Sequence, residues 1–385
     1  MGTHKKGPSV LWDNPQISLH GLVMSSPRSF LGALLTGPLF DEKLFIGDAK
    51  FSQTTDVPFL FKILSIAKAL PLQAHPDKAL GDNLHKEDSS QFVDYNHEPE
   101  IAVSLADGFR GFIGFREPKL IAEDLLSVPE LCGAICHDEA IEMFVREQSK
   151  DWLKVIFTKL LTASSDSVSK AISKLVARIE RQGAAAVGDN ALVAELIQTL
   201  NKQYPLDVGV LAAPFFMNLV TLNRGEAIYI GSDEAHAYLE GDIIEYMAVS
   251  DNVLNAAFVP RETRNTQTFV EALTYTAREP KHWALPPTSY KRSKKGLTTA
   301  FDPPLEEFSV LWTQLKGNEE EFLENAEGPT IGIVTAGTIN FEEQGPDREK
   351  LTLGKGAIIF AKPKTDLVVK SVSDGGEIWW ATCAE

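Results

Sequence analysis

Hydrophobic periodicity switches twice along this chain of 385 residues, from strand to helix and back, and that switch limits the fold more than any single motif does. Between Pro118 and about Leu200 the apolar residues recur three and four apart. They run through Leu153, Ile156, Phe157 and Leu160, then Ile172, Leu175 and Ile179, then Val193, Leu196, Ile197 and Leu200. That is the spacing of helices with one buried face. On either side, short β-branched and aromatic runs sit between glycine turns. PFLFKILSIAKAL (58–70), EIAVSL (100–105) and FRGFIGF (109–115) precede the helical block. After it come strands punctuated by Gly225, Gly231 and Gly241, and from Phe301 a further β-rich series, IGIVTAGTINFEEQ, LTLGKGAIIFAKP and DLVVKSVSDGGEIWWATCAE. The expectation is a mainly β chain with an α-helical insert: two jelly-roll or barrel β units plus a helical domain. The boundaries fall at residues 1–117 and 206–275 for the two parts of the first β domain, with 118–205 as the helical insert. Residues 276–300 read as a linker, because they hold Pro280, Pro286, Pro287 and the solvated run KRSKKG, and 301–385 form the second β domain.

Within the first β region, the stretch PLQAHPDKALGDNLHKEDSSQFVDYNHEPE (71–100) concentrates polar groups of one kind. If Leu70–His75 is a strand ended by Pro76, Gln73 and His75 point to the same face. An amide oxygen and an imidazole on one surface, with the carboxylates of Glu98 and Glu100 and the ring of His97 close by in sequence, could ring a divalent metal. His236 is a fourth candidate, because a turn, an apolar strand and a second turn deliver it to the start of a strand at a barrel mouth. Cys132, Cys136 and His137 look like a metal fragment, but no second cysteine pair accompanies them, and their helical spacing makes them helix residues.

Composition narrows the functions. The chain is 44% hydrophobic and 23% charged, with a net charge of −16, so nucleic acid and anionic membrane surfaces are unsuitable partners. Three cysteines make no disulfide framework, and the start MGTHKKGPSV has no apolar signal segment. No uncharged run approaches the roughly 20 apolar residues that a membrane span needs. The expected location is cytoplasmic.

The blocks FLFKIL, LQAHPDK, YNHEPEIAVSL, EAHAYLEGDIIEYMA and SDNVL together resemble the type I mannose-6-phosphate isomerases, zinc enzymes of the cupin superfamily. The resemblance runs through most of the chain, and Q-x-H-P, N-H-x-P-E and H-A-Y-L-x-G-D in this order are specific to it. It implies two cupin-like β units and one zinc ion bound by Gln73, His75, Glu100 and His236. It also implies interconversion of mannose 6-phosphate and fructose 6-phosphate through an enediol, at the head of GDP-mannose synthesis. Glu245, nine residues past His236, would be the base, with His97 assisting proton or ring-opening steps. Tyr238 and Asp251 would position the substrate or support the ligands, and Lys62 and Arg261 would meet phosphate or sugar oxygens. The partner is a small phosphorylated sugar, and the expected state is a monomer.

The sequence departs from the family pattern in four places. Where the family carries Lys within N-H-x-P-E this chain has Glu98, an anion expected to repel a phosphorylated substrate unless it points away. The position of a catalytic Arg is Asn255, and a Ser two residues before Gln73 is Pro71. MGTHKKG resembles an interior family motif, so an upstream segment is expected to be absent. These departures keep open a second reading, a metal-retaining but catalytically impaired cupin that binds sugar or a partner. A cupin metallo-oxygenase is a weaker third, because such oxygenases favour a histidine-rich iron site and Gln73 offers a redox-silent amide.

Overall fold

A computed structural model describes residues 9–11, 15–25, 57–305, 307–344 and 350–383. The opening MGTHKKG lies outside the described residues, and Leu19–Ser25 is a short helix. The chain divides into two compact units, one of Ile63–Ile243 with Ser250–Ala284, the other of Met1–Lys62, Ile244–Val249 and Leu285–Glu385. Helix and strand contribute similar numbers of residues, and the strand pairings with a defined register are antiparallel.

The strands of the first sheet are β1 (Phe59–Ile66), β2 (Leu72–Ala74), β3 (Glu100–Ser104), β4 (Phe109–Phe115), β5 (Met217–Leu222), β6 (Ala227–Ile230), β7 (His236–Ala248) and β8 (Leu254–Ala257). β1 and β7 each run from one unit into the other. The spine is ordered β5-β4-β7-β2-β8, with β3 paired to β6. Two glycines permit close approaches here. A side chain on Gly114 (φ +52°) would collide with the Trp283 ring, and one on Gly241 (φ +112°) with the Phe109 backbone. Gly114 sits at the register shift between Ile113 and Phe115, where β4 leaves its regular pairing with β5.

The helical block is built from Pro118–Ser127, Pro129–Ile135, Asp138–Glu147, Lys150–Leu161, Ser165–Gln182 and Ala191–Gln203. Its starts are marked chemically. Pro118 and Pro129 occupy first-turn positions, while Ser149, Ser164 and Asn190 accept the N–H of Trp152, Ser167 and Val193. The buried stripes are those the spacing predicts, Leu153, Ile156, Phe157 and Leu160 among them. Phe157 ties the block to the sheet of the same unit by packing edge-on against Phe115, with ring centres 4.9 Å apart, and it meets Phe216, in the helix leading to that sheet, at a tilt with ring centres 5.2 Å apart. Cys132 lies in a helix, and Cys136 ends it in a left-handed conformation (φ 52°), after which the His137 ring accepts the Ala140 N–H and caps the next helix. The cysteine–histidine fragment is therefore helix punctuation.

Two local expectations change. Strands were expected to return at Leu206, but Gly209–Phe216 (GVLAAPFF) is a helix with all eight residues buried. A segment buried all round has no polar face, so it carries no period to read. The expected linker 276–300 contains β9 (Thr288–Ser289) and β10 (Thr298–Phe301), which join the second sheet. Thr298 and Thr313 share a hydroxyl hydrogen bond of 2.7 Å beneath that sheet, so the proline-rich stretch is anchored.

The second sheet continues with β11 (Ser309–Leu315), β12 (Glu320–Leu323), β13 (Thr330–Gln344), β14 (Lys350–Gly354), β15 (Ile358–Ala361) and β16 (Asp366–Thr382). Its order is β14-β13-β16-β11-β10-β9, with β12 on β16 and β15 on β13. Trp379 stacks on Trp312 at 4.7 Å, and buried Trp380 donates its indole N–H to Thr313 at 2.9 Å. Among the described residues no helix is long and apolar enough to cross a membrane.

Candidate metal centre

The strand carrying Gln73 is shorter than expected, Leu72–Ala74, and His75 follows its last residue. Leu72 and Ala74 are fully buried in the core shared with the helices, so alternation turns Gln73 to the other face. β2 lies between β7 and β8, which sets Gln73 opposite His236 on one side and Asn255 on the other. His236 is the first residue of β7 and Glu100 the first of β3, so two strand starts, the middle of β2 and the residue just after it deliver the four side chains.

They converge. Ligand atoms of His75, Glu100 and His236 all lie within 4.8 Å of one another, and the three residues are 1%, 2% and 0% exposed. His75 Nε2 is 3.1 Å from Glu100 Oε1, and His236 Nε2 is 3.6 Å from Glu100 Oε2. The Gln73 amide reaches His236 Nε2 at 3.2 Å. An amide's oxygen and nitrogen exchange places by a half turn, so Gln73 can equally present its oxygen.

The backbone fixes how each imidazole is presented. His75 Nδ1 faces the Asn252 carbonyl, and His236 Nδ1 faces the Glu234 carbonyl, both at 3.1 Å. A carbonyl only accepts, so each Nδ1 carries hydrogen and each neutral ring turns its Nε2 lone pair toward Glu100. His75 Nε2 is buried without a hydrogen-bond partner. With both rings neutral, His75 Nε2 and the Glu100 carboxylate face each other as acceptors, while His236 Nε2 is within reach of the Gln73 amide. A divalent cation satisfies all of them, and the nitrogen and oxygen donor set suits one.

Protonation shows the same demand for positive charge. Burial lowers the His75 pKa, but the carboxylates of Glu98 and Glu100 outweigh it and raise the value well above the usual. At His236 burial dominates, and its pKa falls to about 4 despite Glu100.

Around this group, the Tyr238 hydroxyl donates to Glu100 Oε2 at 2.9 Å and is buried there, so Tyr238 holds the carboxylate. Asp94 accepts from the Ser250 hydroxyl at 2.9 Å, the Asp251 N–H at 3.0 Å and the Asn252 amide at 3.1 Å. It thereby clamps the loop whose Asn252 carbonyl orients His75. Asp94 and Asn252 are not among the sequence candidates. The only trace of this clamp in the sequence is the SDN of SDNVL, since a backbone carbonyl has no side-chain signature.

The other candidates separate. His97 is half-buried on the loop before Glu98. Glu98 is 4% exposed, and its Oε2 lies 3.2 Å from His75 Nδ1, so this anion turns inward onto the imidazole. Asp251 meets the Asp94 clamp through its backbone. Asn255 keeps its buried Oδ1 without a hydrogen-bond partner. Arg261 is exposed, and its guanidinium donates to the Ala163 carbonyl at 3.2 Å and to the Ser165 hydroxyl. Lys62 and Glu245 both belong to the other unit, where they form an ion pair at 2.9 Å with Glu245 5% exposed.

Comparison with known proteins gives a consistent picture. Residues 1–118 match the family described as phosphomannose isomerase type I, catalytic domain; residues 133–217 match its helical insertion domain, and residues 301–341 its C-terminal part. Mannose-6-phosphate isomerase of Candida albicans is 35% identical over 385 residues, covering 95% of this chain and 84% of that protein. The Saccharomyces cerevisiae protein of the same name is 36% identical over 379 residues, covering 94% and 83%. Among solved structures, a variant of phosphomannose isomerase from Salmonella typhimurium is similar with a TM-score of 0.82 at 25% identity, covering 100% of this chain and 90% of that one. A zinc-bound mannose 6-phosphate isomerase, 23% identical, has the same fold with a TM-score of 0.81 over 100% of this chain and 90% of that one.

Proposed function

The chain belongs to the type I phosphomannose isomerases, and we propose that it interconverts mannose 6-phosphate and fructose 6-phosphate with one zinc ion held by Gln73, His75, Glu100 and His236. The observation that carries this reading is the convergence of both Nε2 lone pairs on Glu100, in a family whose members are named for that reaction. The cytoplasm as location and GDP-mannose synthesis as destination belong to the same proposal.

Aldose–ketose exchange removes the proton from C2, passes through an enediol and returns the proton to C1, while the hydroxyl hydrogen moves between O2 and O1. Each half needs a base and a counter-charge for the oxygen that becomes negative. Zinc, when bound, supplies that positive charge. The chain's own residues do the rest. Tyr238 and the Asn252 and Glu234 carbonyls hold Glu100, His75 and His236 in fixed orientations, so no reorganisation is needed during reaction. Glu245 is the candidate base, and its carboxylate is oriented by the Lys62 ammonium. His97 remains the candidate for proton movement at ring opening.

Glu245→Gln removes the base and keeps the shape. We expect kcat to fall at least about 100-fold, with zinc content unchanged. Unchanged kcat would remove Glu245 from the role. A second reading, a binding module without turnover, is favoured by the uncompensated Oδ1 of Asn255 and by the inward anion Glu98. A folded, zinc-bearing chain that binds the sugar phosphate without converting it would establish that alternative.

A further inference from the structure

Glu98 and Glu100 are two residues apart across Pro99, and both carboxylates are buried. In extended chain, residues so spaced share a side. Here they address one imidazole from its two ends: Glu98 Oε2 is 3.2 Å from His75 Nδ1, and Glu100 Oε1 is 3.1 Å from His75 Nε2. The two ring nitrogens point away from each other, so Glu98 stands behind the imidazole rather than among the groups that face the centre. The Nδ1 hydrogen goes to the Asn252 carbonyl at 3.1 Å, and Glu98 Oε2 meets the same nitrogen at 3.2 Å as a charge contact rather than a hydrogen bond.

We propose that Glu98 is a positioning residue for the metal, a carboxylate behind His75 that fixes the ring and strengthens Nε2 as a donor. This rests on the metal centre proposed above. A negative charge 3.2 Å from Nδ1 polarises the N–H that the Asn252 carbonyl accepts and adds electron density to the ring. With Glu98 and Glu100 both ionised, the two carboxylates balance the charge of a divalent cation held by buried side chains. Glu98 therefore trades electrophilic strength for retention of the metal. The same inward turn gives a buried anion a partner, where an unpaired one would be costly.

The test is the zinc dissociation constant, read by competition with a chromogenic chelator at fixed pH, for the full chain and for Glu98→Gln and Glu98→Ala. Glu98→Gln keeps volume and an acceptor oxygen but removes the charge, so a packing role would leave it like the parent. The expected result is weakening of about 10-fold for Gln and up to about 100-fold for Ala, with similar melting temperatures in the metal-free state for the parent and the Gln variant. Parent-like zinc affinity in Glu98→Gln would overturn the positioning role while leaving the metal centre intact. A parent chain that binds no zinc would overturn the metal centre, and the role of Glu98 with it.

Discussion

Two buried carboxylates, one in each unit, have opposite surroundings. Glu321 at β12 is fully buried. It accepts the Ser293 hydroxyl at 2.6 Å and the N–H groups of Lys295, Leu297 and Phe322 at 2.9, 2.7 and 2.8 Å. Glu100 at β3 is equally buried but has the Tyr238 hydroxyl on one side and two imidazole Nε2 atoms on the other. The first carboxylate is satisfied by donors and locks a loop onto a sheet. The second is arranged against two imidazole nitrogens, the donor set of a metal rather than of a structural lock. Burial alone does not distinguish structure from function in this molecule; the identity of the facing atoms does.

Removing a ligand should have the largest effect on that contrast. His236→Ala is expected to lower zinc content to background and abolish turnover, measured by elemental analysis and a product assay. Retained stoichiometric zinc would show that the three-residue group is not the centre. Glu321→Gln should destabilise the fold by about 1–3 kcal/mol, because an amide cannot accept from the same four donors. Denaturant unfolding would read that loss, and zinc affinity should not change. A fall in affinity instead would erase the distinction between the two carboxylates. Tyr238→Phe removes the hydroxyl on Glu100 Oε2 and should weaken zinc about 10-fold with the fold intact, as chelator competition would show.

The smallest effect concerns a partly buried carboxylate in the helical block. Burial works to raise the Glu130 pKa, but the hydrogen bonds and charge of Arg178 prevail and hold it below the usual carboxylate value. The pair therefore stabilises above the unfolded pKa of Glu130, and that contribution is lost as pH falls through the lowered folded value. With solvent screening it should be below about 1 kcal/mol. Comparing the acid limb of unfolding in the parent and in Glu130→Gln would measure it.

Much of this was legible because period and motif agree. The helical block followed from the spacing of Leu153, Ile156, Phe157 and Leu160, and Gln73, His75, Glu100 and His236 followed from short motifs whose residues do chemistry with side chains. What escaped has a physical reason in each case. GVLAAPFF carries no period because every face is buried. Asn252 acts through a carbonyl that any residue would supply. The direction of Glu98 is decided by a contact with His75, 23 positions away in the chain, and residue type does not encode it. Arg261, a candidate for sugar oxygens, is tied to Ala163 and Ser165 by the packing of the helical block.

The most direct test is conversion of mannose 6-phosphate to fructose 6-phosphate by the purified chain, zinc-loaded and chelated, with metal content measured in both. Turnover that disappears with the zinc and returns when zinc is restored is the result this account predicts. A folded chain that holds one zinc ion yet forms no fructose 6-phosphate would contradict it.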